Sequence, residues 1–371
     1  MSTRIGLLGG SGAVGALLAQ RLRNRGLGEL VLAGRNAAQA QQVIDEKLGG
    51  AAEFETVELW DAHSLARFVG SCTMIVNCAG PTRRILDRVA RAAVDAGVDY
   101  VDAGGDHPVY ERLTQAAVRN EPRIVLSAGM IPGLTGLAPR YLAAGFDTVD
   151  TLTVYHGIRD TFGYSSAYDY VVGIRDADDE PLAAWRGGPR SNAARRVDIA
   201  LPHFPDTVTA QPYLSPEARR VAAALGLTSG TWFSVLDGER VPVLLQQVPG
   251  IGAEQIGDMA EKVRRAAELD VVGRARHATL LFEMRGTVAG AAHTRSLVVR
   301  AGGAAALVAA VAASAVGVLA AGRIEPGVHY AAEVLPPAEV IADLGADPAV
   351  VHLGAADVTL DELVEPEEGA L

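Results

Sequence analysis

Short apolar runs alternate with amphipathic segments along the first third of the chain. Strands are predicted at Arg4–Leu8, Glu29–Ala33, Glu53–Glu58, Thr73–Asn77, Asp99–Asp102 and Arg123–Ser127. Between them, apolar residues recur at helical spacing in Ala13–Arg25, Ala37–Leu48, Ala62–Val69 and Leu86–Ala96. Because strands and helices alternate with short loops, the pattern predicts an α/β fold with a Rossmann-type, doubly wound parallel sheet.

The pattern changes after residue 146, where strands become longer and more regularly alternating. Asp147–His156 is predicted as one such strand, and His277–Arg285 with Thr294–Arg300 as an antiparallel pair. Thr231–Val235 and Val241–Gln247 flank Asp237-Gly238, which predicts a hairpin. Residues 176–220 show no clear period and are predicted to be an irregular excursion or lid. The second domain is therefore expected to be α+β with a mixed or antiparallel sheet.

Composition and charge exclude several classes of protein. Of the 371 residues, 49% are hydrophobic, which excludes intrinsic disorder. The formal net charge of −11 makes nucleic acid and acidic membrane surfaces poor partners. The segment 304–321 is long enough to span a bilayer, but its alanine content favours a buried helix. The N-terminus lacks the features of a signal peptide, and a cytoplasmic protein is expected.

A glycine-rich turn links the first predicted strand to the first predicted helix. Its sequence is G-x-G-x-x-G, in which Gly10 would permit the tight turn and Gly12 would let the backbone approach a diphosphate. Gly15 would allow close packing of helix and strand, and the helix N-terminus offers free N–H groups to an anion. The alternative is an ordinary turn of an α/β protein. The predicted diphosphate-binding residues are Gly10, Ser11, Gly12, Ala13, Val14 and Gly15.

Arg35 stands at the end of the second predicted strand, twenty residues after Gly15. An acidic residue at this place would accept a hydrogen bond from the ribose 2′-hydroxyl of NAD, whereas a guanidinium can bind the 2′-phosphate of NADP. We therefore expect NADP, with Arg35 and Asn36 in contact with it; the alternative for Arg35 is a solvated surface residue. Asp61, after the third strand, is a candidate for the adenine amine or a simple helix-start residue.

The ends of the predicted strands Thr73–Asn77 and Asp99–Asp102 are expected to face the nicotinamide half of the cofactor, because ligands of such sheets bind at the carboxyl ends of strands. His107 could donate a proton, although Asp106 and Pro108 also fit the start of a helix. Cys78 could be reactive or simply fill the core. The candidate cofactor contacts after the fourth strand are Asn77, Cys78, Ala79, Gly80 and Pro81.

The ordered motifs GLLGGSGAVG, LAGRN, MIVNCAGP, DYVDAGGD and SAGMIPGLTGL resemble the saccharopine dehydrogenase-like oxidoreductases over residues 1–160, and IEPGVHYAAEVLPPAEVIADL resembles them more weakly. The resemblance implies NAD(P)-dependent hydride transfer to imines or other C–N substrates, and in some relatives to activated C=C bonds. It also implies an NADP-binding domain at 1–128, closed by a segment at about 325–371, and a substrate and dimerisation domain at 129–324. The segment Ile131-Pro132-Gly133 lacks the carboxylate of saccharopine-forming members, so saccharopine itself is not expected as the product.

Candidate proton donors lie in the second domain. Tyr155 and His156 end a predicted strand, and Tyr164 and Tyr168 share one face of a predicted helix. Tyrosine and histidine can donate protons, and aromatic rings can hold a cationic iminium. The alternative is a polar-tipped helix packed in a core or dimer interface. No metal-binding spacing is present, so no metal is expected.

Three functions remain open on these observations. The first is an NADPH-dependent reductase of an imine or related small-molecule substrate, in a homodimer and in specialised metabolism. The second is an enoyl or carbonyl reductase of a polyketide- or lipid-like substrate. The third is a sensor or scaffold that binds NADP without turnover, since no Tyr-x-x-x-Lys pair is evident.

Overall fold

A computed structural model describes residues 3–115, 122–176 and 180–364. The chain divides into two compact units, Met1–Leu137 with Ala305–Leu344 and Ala138–Ala304 with Gly345–Leu371. The strands are, in chain order, β1 (Arg4–Leu8), β2 (Glu29–Gly34), β3 (Glu53–Thr56), β4 (Met74–Asn77), β5 (Asp99–Asp102), β6 (Arg123–Leu126), β7 (Thr148–Arg159), β8 (Glu180–Pro181), β9 (Ala183–Arg186), β10 (Pro189–Ser191), β11 (Arg196–Ile199), β12 (Val208–Leu214), β13 (Ser229–Leu236), β14 (His277–Val288), β15 (Ala291–Ala301), β16 (Gly327–Tyr330) and β17 (Val350–Ala356). The α-helices are α1 (Ala13–Asn24), α2 (Ala37–Leu48), α3 (Ala62–Gly70), α4 (Thr82–Ile85), α5 (Arg88–Ala96), α6 (His107–Gln115), α7 (Leu134–Ala143), α8 (Tyr164–Asp176), α9 (Pro216–Ala224), α10 (Arg240–Leu245), α11 (Ile256–Asp270), α12 (Ala304–Ala320), α13 (Ala331–Val334) and α14 (Pro337–Gly345).

The first unit is built on a seven-stranded parallel sheet in the order β16-β6-β5-β4-β1-β2-β3. All four residues of β4 are buried, as expected for a central strand with helices on both faces. The strand order reverses between β1 and β4, and ligands of doubly wound sheets bind at such a switch point. The predicted Rossmann fold is confirmed, and this reversal is where a dinucleotide would lie.

The second unit carries a mixed sheet whose main path is β10-β9-β13-β7-β14-β15-β17. Strands β7 and β13 are parallel, whereas β14 pairs antiparallel with both β7 and β15. The predicted α+β class and the predicted antiparallel pair are therefore confirmed. Tyr155, Phe233, Leu281 and Val298 share a buried cluster on this sheet.

Two predictions for the second unit are wrong. The segment after Asp237-Gly238 forms helix α10 rather than the second strand of a hairpin, and Asp270 accepts hydrogen bonds from the first backbone N–H groups of that helix. Pro242 is compatible with a first helical turn but not with a central strand. The region expected to be irregular contains β8 to β12 and α9 among its described residues.

Helix α12 accounts for the alanine-rich segment, and its residues are buried over most of its length. Ser314 donates a hydrogen bond to Asp343 at 2.6 Å, and Arg123 donates one to the carbonyl of Leu319 at 3.0 Å, so this helix packs within the first unit. Within the described ranges, no helix combines the length and apolar character needed to cross a bilayer. The C-terminal segment expected to close the first domain is shared: β16 joins the parallel sheet, whereas β17 joins the mixed sheet.

Candidate functional site

The loop after β1 is shaped by a glycine that the motif does not include. Gly9 adopts a left-handed φ of +75°, and its N–H donates to the carbonyl of Ala33 on β2 at 2.9 Å. Gly10 lies in the same turn, and its N–H donates to the Leu7 carbonyl at 3.1 Å. It also permits close packing there, because a Cβ would lie 2.9 Å from a Leu32 side-chain carbon and from the Leu7 carbonyl.

The remaining glycines leave the backbone of the loop open to a ligand. Gly12 is the N-cap of α1 in an extended conformation, and a Cβ at Gly15 would lie 2.3 Å from the Gly9 carbonyl oxygen. Ala13 and Val14 begin the helix, where backbone N–H groups have no intrahelical acceptor. Ser11 is held from the other side, since its carbonyl accepts a hydrogen bond from Gln39 at 3.0 Å. This cradle fits a diphosphate.

Arg35 follows β2 beside this cradle, and its side chain is exposed. Its guanidinium makes no hydrogen bond or ion pair with any residue that the structure describes, so its charge is available to a ligand. Asn36 has a structural role, because its Oδ1 caps α2 by accepting from Gln39 N at 3.1 Å. Asp61 likewise caps α3 by accepting from His63 N at 2.9 Å. Of the two roles that the sequence allowed for Asp61, the structure therefore shows that of a helix-start residue.

Asn77 ends β4 at the switch point and is buried. Its side-chain carbonyl accepts from Ala79 N at 3.1 Å, and its amide donates to Asp102 Oδ2 at 3.2 Å. These bonds use both ends of the side chain. Asn77 therefore shapes the loop that follows β4.

Asp102 at the end of β5 organises the neighbouring loop, and the sequence analysis gave it no specific role. Its Oδ1 accepts from Gly104 N at 2.9 Å and from Gly105 N at 2.7 Å. Its Oδ2 accepts from the hydroxyl of Tyr100, whose pKa is raised well above its usual value by burial and by this carboxylate. Four donors thus compensate one buried charge, and they fix two strand ends at the nicotinamide side of the sheet.

The segment Cys78 to Pro81 passes close to the phosphate loop. A Cβ at Gly9 would lie 2.8 Å from Ala79 N, so the two loops touch through backbone. Burial, with a smaller contribution from Asp102, raises the pKa of Cys78 to about 12. A neutral thiol at this position is a packing group, in agreement with the core alternative. Ala79 and Gly80 add no bulky side chain beside the cradle.

His107 begins helix α6, one residue before the predicted start at Pro108. Its Nδ1 lies 3.2 Å from the hydroxyl of Tyr330, and the Tyr330 ring stacks on Tyr110 with centroids 4.7 Å apart. The backbone carbonyl of Asp106 accepts the first hydrogen bonds of the helix. His107 thus connects α6 to the end of β16, and its role as proton donor stays a prediction.

Tyr155 and His156 do not form the expected cluster. Consecutive residues of a strand point to opposite faces of the sheet, and both lie within β7. The Tyr155 ring stacks on Phe233 with centroids 4.9 Å apart, and its hydroxyl accepts from Arg196. Burial raises the pKa of Tyr155. Tyr155 is thus a buried residue that packs in the apolar cluster of the mixed sheet, and its role as a proton donor stays a prediction.

His156 pairs instead with Tyr213 of β12, which the sequence analysis missed. The Tyr213 hydroxyl lies 3.0 Å from His156 Nδ1, and the two rings meet edge to face. Burial lowers the pKa of His156 to about 4, so its imidazole is neutral at physiological pH. The signal that could have found this strand is the alternation of Val208, Ala210 and Leu214 within the segment expected to be irregular.

Tyr164 and Tyr168 lie side by side on α8, with ring centroids 6.1 Å apart. Tyr164 is exposed, whereas Tyr168 packs on the apolar cluster formed by α8, α10 and α11. This arrangement corresponds to the polar-tipped helix alternative. The described part of the chain holds no group of three or more His, Cys, Asp or Glu side chains arranged for a metal ion.

Comparisons with known proteins found similarity to one family model and to several solved structures. Residues 5–127 match the family model described as the saccharopine dehydrogenase NADP binding domain. An apo saccharopine dehydrogenase (L-Glu forming) from Saccharomyces cerevisiae matches with a TM-score of 0.69 at 14% identity, covering 96% of this chain and 100% of that one. An oxidoreductase from Sinorhizobium meliloti matches with a TM-score of 0.41 at 12% identity, over 95% and 97% of the two chains. No curated protein matches the sequence significantly.

The fold and the phosphate cradle define an NADP-binding protein of an oxidoreductase family. Residues 5–127 of its first unit match a saccharopine dehydrogenase NADP binding domain, and NADP is the cofactor, as Arg35 predicted. Over residues 5–127 the chain is thus similar to that family of domains, and the yeast enzyme, at 14% identity, shares the fold.

Proposed function

We propose that this protein is an NADPH-dependent reductase that acts on an imine or a related C–N substrate. The observation that carries the proposal is the neutral His156–Tyr213 pair on the mixed sheet. A protonated imine is cationic, and a neutral imidazole and a phenol ring can hold it without charge repulsion. The small-molecule substrate is assigned to the second unit, which we also propose as the dimerisation unit of a cytoplasmic homodimer in specialised metabolism.

The proton balance of this reaction requires a donor at the substrate nitrogen. NADPH, when bound, supplies a hydride to the carbon of the C=N bond. The nitrogen of the neutral imine takes a proton from the Tyr213 hydroxyl and so becomes the cationic iminium that accepts this hydride, and water restores the proton of Tyr213 through His156. Overall, imine, NADPH and one proton give amine and NADP⁺. A hydroxyl that is hydrogen-bonded to an imidazole is well suited to this transfer.

The other candidate residues have separate roles, chiefly in binding the cofactor and in shaping its site. The backbone of Gly12 to Gly15 would hold the diphosphate, and Arg35 the 2′-phosphate. Asn77 and Asp102 fix the strand ends where the nicotinamide half would lie. His107, Tyr164 and Tyr168 are retained as secondary candidates.

Consumption of NADPH with a substrate panel tests the proposal. The panel contains cyclic imines, aldehyde–amine mixtures, ketones and enoyl thioesters, and absorbance at 340 nm follows turnover. We expect turnover with imines, a loss of roughly 100-fold in kcat for Tyr213→Phe, and unchanged NADPH affinity in that variant. Tyr141→Phe is the matched control, because that half-buried tyrosine of α7 belongs neither to the pair nor to the other candidate residues.

Other outcomes of the substrate panel would favour one of the alternative functions. Turnover with enoyl or carbonyl substrates alone would replace imine reduction by the second function. Tight NADPH binding without turnover on the whole panel would indicate a sensor or scaffold. Wild-type kcat in Tyr213→Phe would remove the proton-donor role while leaving the cofactor assignment intact.

A further inference from the structure

One face of the mixed sheet carries two arginine side chains on either side of strand β14. Arg159 of β7 lies directly opposite His277 of β14 in the register of the sheet. Arg300 of β15 lies directly opposite Thr279, two residues further along β14. Residues that lie opposite each other, and residues two apart on one strand, point to the same face of a sheet. The two arginines therefore share one face and flank His277 and Thr279.

The carboxylate beside Arg159 is already bound by a histidine. Asp237 Oδ2 lies 2.6 Å from His277 Nε2 but 3.5 Å from the Nη2 of Arg159. Burial opposes the charge of Asp237, but the hydrogen bond with His277 and the charge of Arg159 lower its pKa overall, so this group is ionised at neutral pH. Arg159 is only 5% exposed, and its Nε has no hydrogen-bond partner among the described residues. Its buried charge is therefore only partly compensated.

His277 offers no acceptor to either arginine. An ionised carboxylate only accepts hydrogen bonds, so the Nε2 of His277 donates to Asp237. The Nδ1 of His277 lies 2.9 Å from the hydroxyl of Thr279, and both side chains are buried. Both ring nitrogens are thus used within the group formed by Asp237, His277 and Thr279.

Arg300 has no carboxylate partner among the residues that the structure describes. Its Nε is buried and lacks a hydrogen-bond partner there as well. Glu283, on the same face of β14, pairs with Arg285 at 2.8 Å instead. Arg159 and Arg300 are two cations and Asp237 is one anion, so this part of the face carries an excess positive charge. A buried charge of this kind is costly unless an anion pairs with it.

A covering segment shields this part of the face from solvent on one side. Leu201 packs in the apolar cluster of the sheet, and the Phe204 ring lies so close to Gly157 that a Cβ there would be 2.6 Å from it. The ring of His203 meets that of His352, which lies opposite Arg300 on β17, with centroids 4.3 Å apart. Both of these histidines are exposed. A small ligand can therefore approach on their side and reach an environment in which charge-assisted hydrogen bonds are strong.

We propose that Arg159 and Arg300 form a binding site for the carboxylate group of a small molecule. A carboxylate brings the one negative charge that balances the excess, and its two oxygens accept from guanidinium N–H groups. The inference does not depend on the proposed reductase activity. His156 is three residues from Arg159 on β7, so the two side chains point to opposite faces of the sheet. The site is a further ligand site, separate from the His156–Tyr213 pair.

Calorimetric titration of the NADP⁺-saturated chain with propionate tests this site without turnover, since bound NADP⁺ occupies the phosphate cradle. Propionamide, which has nearly the same shape but no charge, is the matched ligand, and chloride keeps the ionic strength constant. Arg300→Gln is expected to weaken propionate by about tenfold or more, because a charge-assisted hydrogen bond is lost. Arg295→Gln is the matched control. Arg295 lies on the same strand but points to the other face and pairs with Asp357 at 2.6 Å, so propionate affinity should not change.

Thermal unfolding gives a second readout that a purely structural role of Arg300 would move differently. Propionate should raise the Tm of the wild-type chain above that in propionamide, and this rise should disappear in Arg300→Gln. Without propionate, Arg300→Gln should unfold at or above the wild-type Tm, because no partner of this arginine is lost. A lower Tm of ligand-free Arg300→Gln, together with wild-type propionate affinity, would show a structural role and overturn the proposal.

Three further results would also overturn the proposed site. Equal heats from propionate and propionamide would show that the charge of the ligand is not recognised. Equal weakening in Arg295→Gln and Arg300→Gln would show an effect of overall charge rather than of a site. Binding of sulfate without binding of propionate would contradict the assignment to a carboxylate. If Arg300→Gln does not fold, Arg300→Lys keeps the charge but loses the paired N–H groups, and wild-type propionate affinity in that variant would count against the site.

Discussion

The guanidinium of Arg35 lies exposed at the end of β2, beside the backbone amides that open α1. An unpaired cation at this place costs little in water and gains a charge-assisted hydrogen bond when a 2′-phosphate arrives. The same position in an NAD-binding domain carries a carboxylate, which would repel that phosphate. The proposed role of Arg35 in the choice of cofactor can therefore be tested by changing that side chain.

Replacement of Arg35 is predicted to reduce NADPH affinity selectively. Arg35→Ala should weaken NADPH by roughly tenfold to a hundredfold, because a charge-assisted bond to the phosphate is lost. NADH should bind Arg35→Ala and wild type alike. Calorimetric titration measures both constants, and equal weakening of the two cofactors would contradict the assignment of Arg35 to the 2′-phosphate.

Protonation of His156 is predicted to destabilise the protein in acid. Its pKa is about 4 in the folded chain, against an ordinary value of 6.5. Between these values the unfolded chain binds a proton that the folded chain does not, so stability is lost as pH falls from about 6.5 towards 4. Urea denaturation at pH 7 and 4.5 should show that His156→Gln loses about 2 kcal/mol less than wild type. Identical losses would mean that His156 titrates normally in the folded state.

The cofactor could be predicted from sequence because that prediction uses local position, whereas the partner of His156 could not be predicted because it is distant in the chain. Arg35 is placed by its distance from Gly15, and NADP follows from it. Tyr213 lies 57 residues from His156 and meets it only across the strands of the mixed sheet. Adjacency in sequence also does not guarantee a shared site: Tyr155 and His156 are adjacent but face opposite sides of β7.

At the scale of elements, the β1–α1 connection is set by close backbone contacts rather than by side chains. Gly9 turns the chain, and Gly15 lets the first turn of α1 approach the Gly9 carbonyl. The helix N-terminus consequently stays close to the strand end, where its N–H groups can meet a diphosphate. The spacing of the glycines therefore sets the orientation of α1 relative to β1.

Substitution of Gly15 is predicted to disturb that orientation. In Gly15→Ala the new Cβ would lie 2.3 Å from the Gly9 carbonyl oxygen, so α1 must shift away from β1. We expect a loss of about 1–3 kcal/mol in the free energy of unfolding and weaker binding of NADPH. Gly70→Ala is the control, because a Cβ there meets nothing within 4 Å. Unchanged stability and affinity in Gly15→Ala would show that the loop yields without cost.

Elements of the first unit were predictable because each strand and helix carries its own period. The second unit contains signals that compete. Asp237-Gly238 has the composition of a hairpin turn, yet Asp270, 33 residues beyond Asp237 in the numbering, caps a helix directly after it. The short strands β8 to β11 have two to four residues each, too few for alternation to be recognised.

On the scale of the whole molecule, the described residues form one sheet in each unit. The C-terminal part of the chain contributes one strand to each of these sheets. Strand β16 completes the parallel sheet and β17 the mixed sheet. Such returns join residues that are far apart in sequence, which explains why the sequence placed the closing segment as a single piece. Helix α12 was foreseen as a buried helix from its composition, but its unit could be assigned only from contacts such as Ser314 to Asp343.

Cofactor binding is predicted to raise the thermal stability of the chain, and to do so selectively. A ligand that binds only the folded state at about 100 times its Kd adds about 2.7 kcal/mol of stability. For a unit of this size that corresponds to a rise in Tm of roughly 5–10 °C. Scanning calorimetry with equal concentrations of NADPH and NADH should show the larger rise with NADPH. In Arg35→Ala the two cofactors should give the same small rise, whereas Tyr213→Phe should retain the wild-type difference because it lies outside the unit that binds NADP. Equal rises with both cofactors in the wild-type chain would contradict selection of the 2′-phosphate by the folded protein.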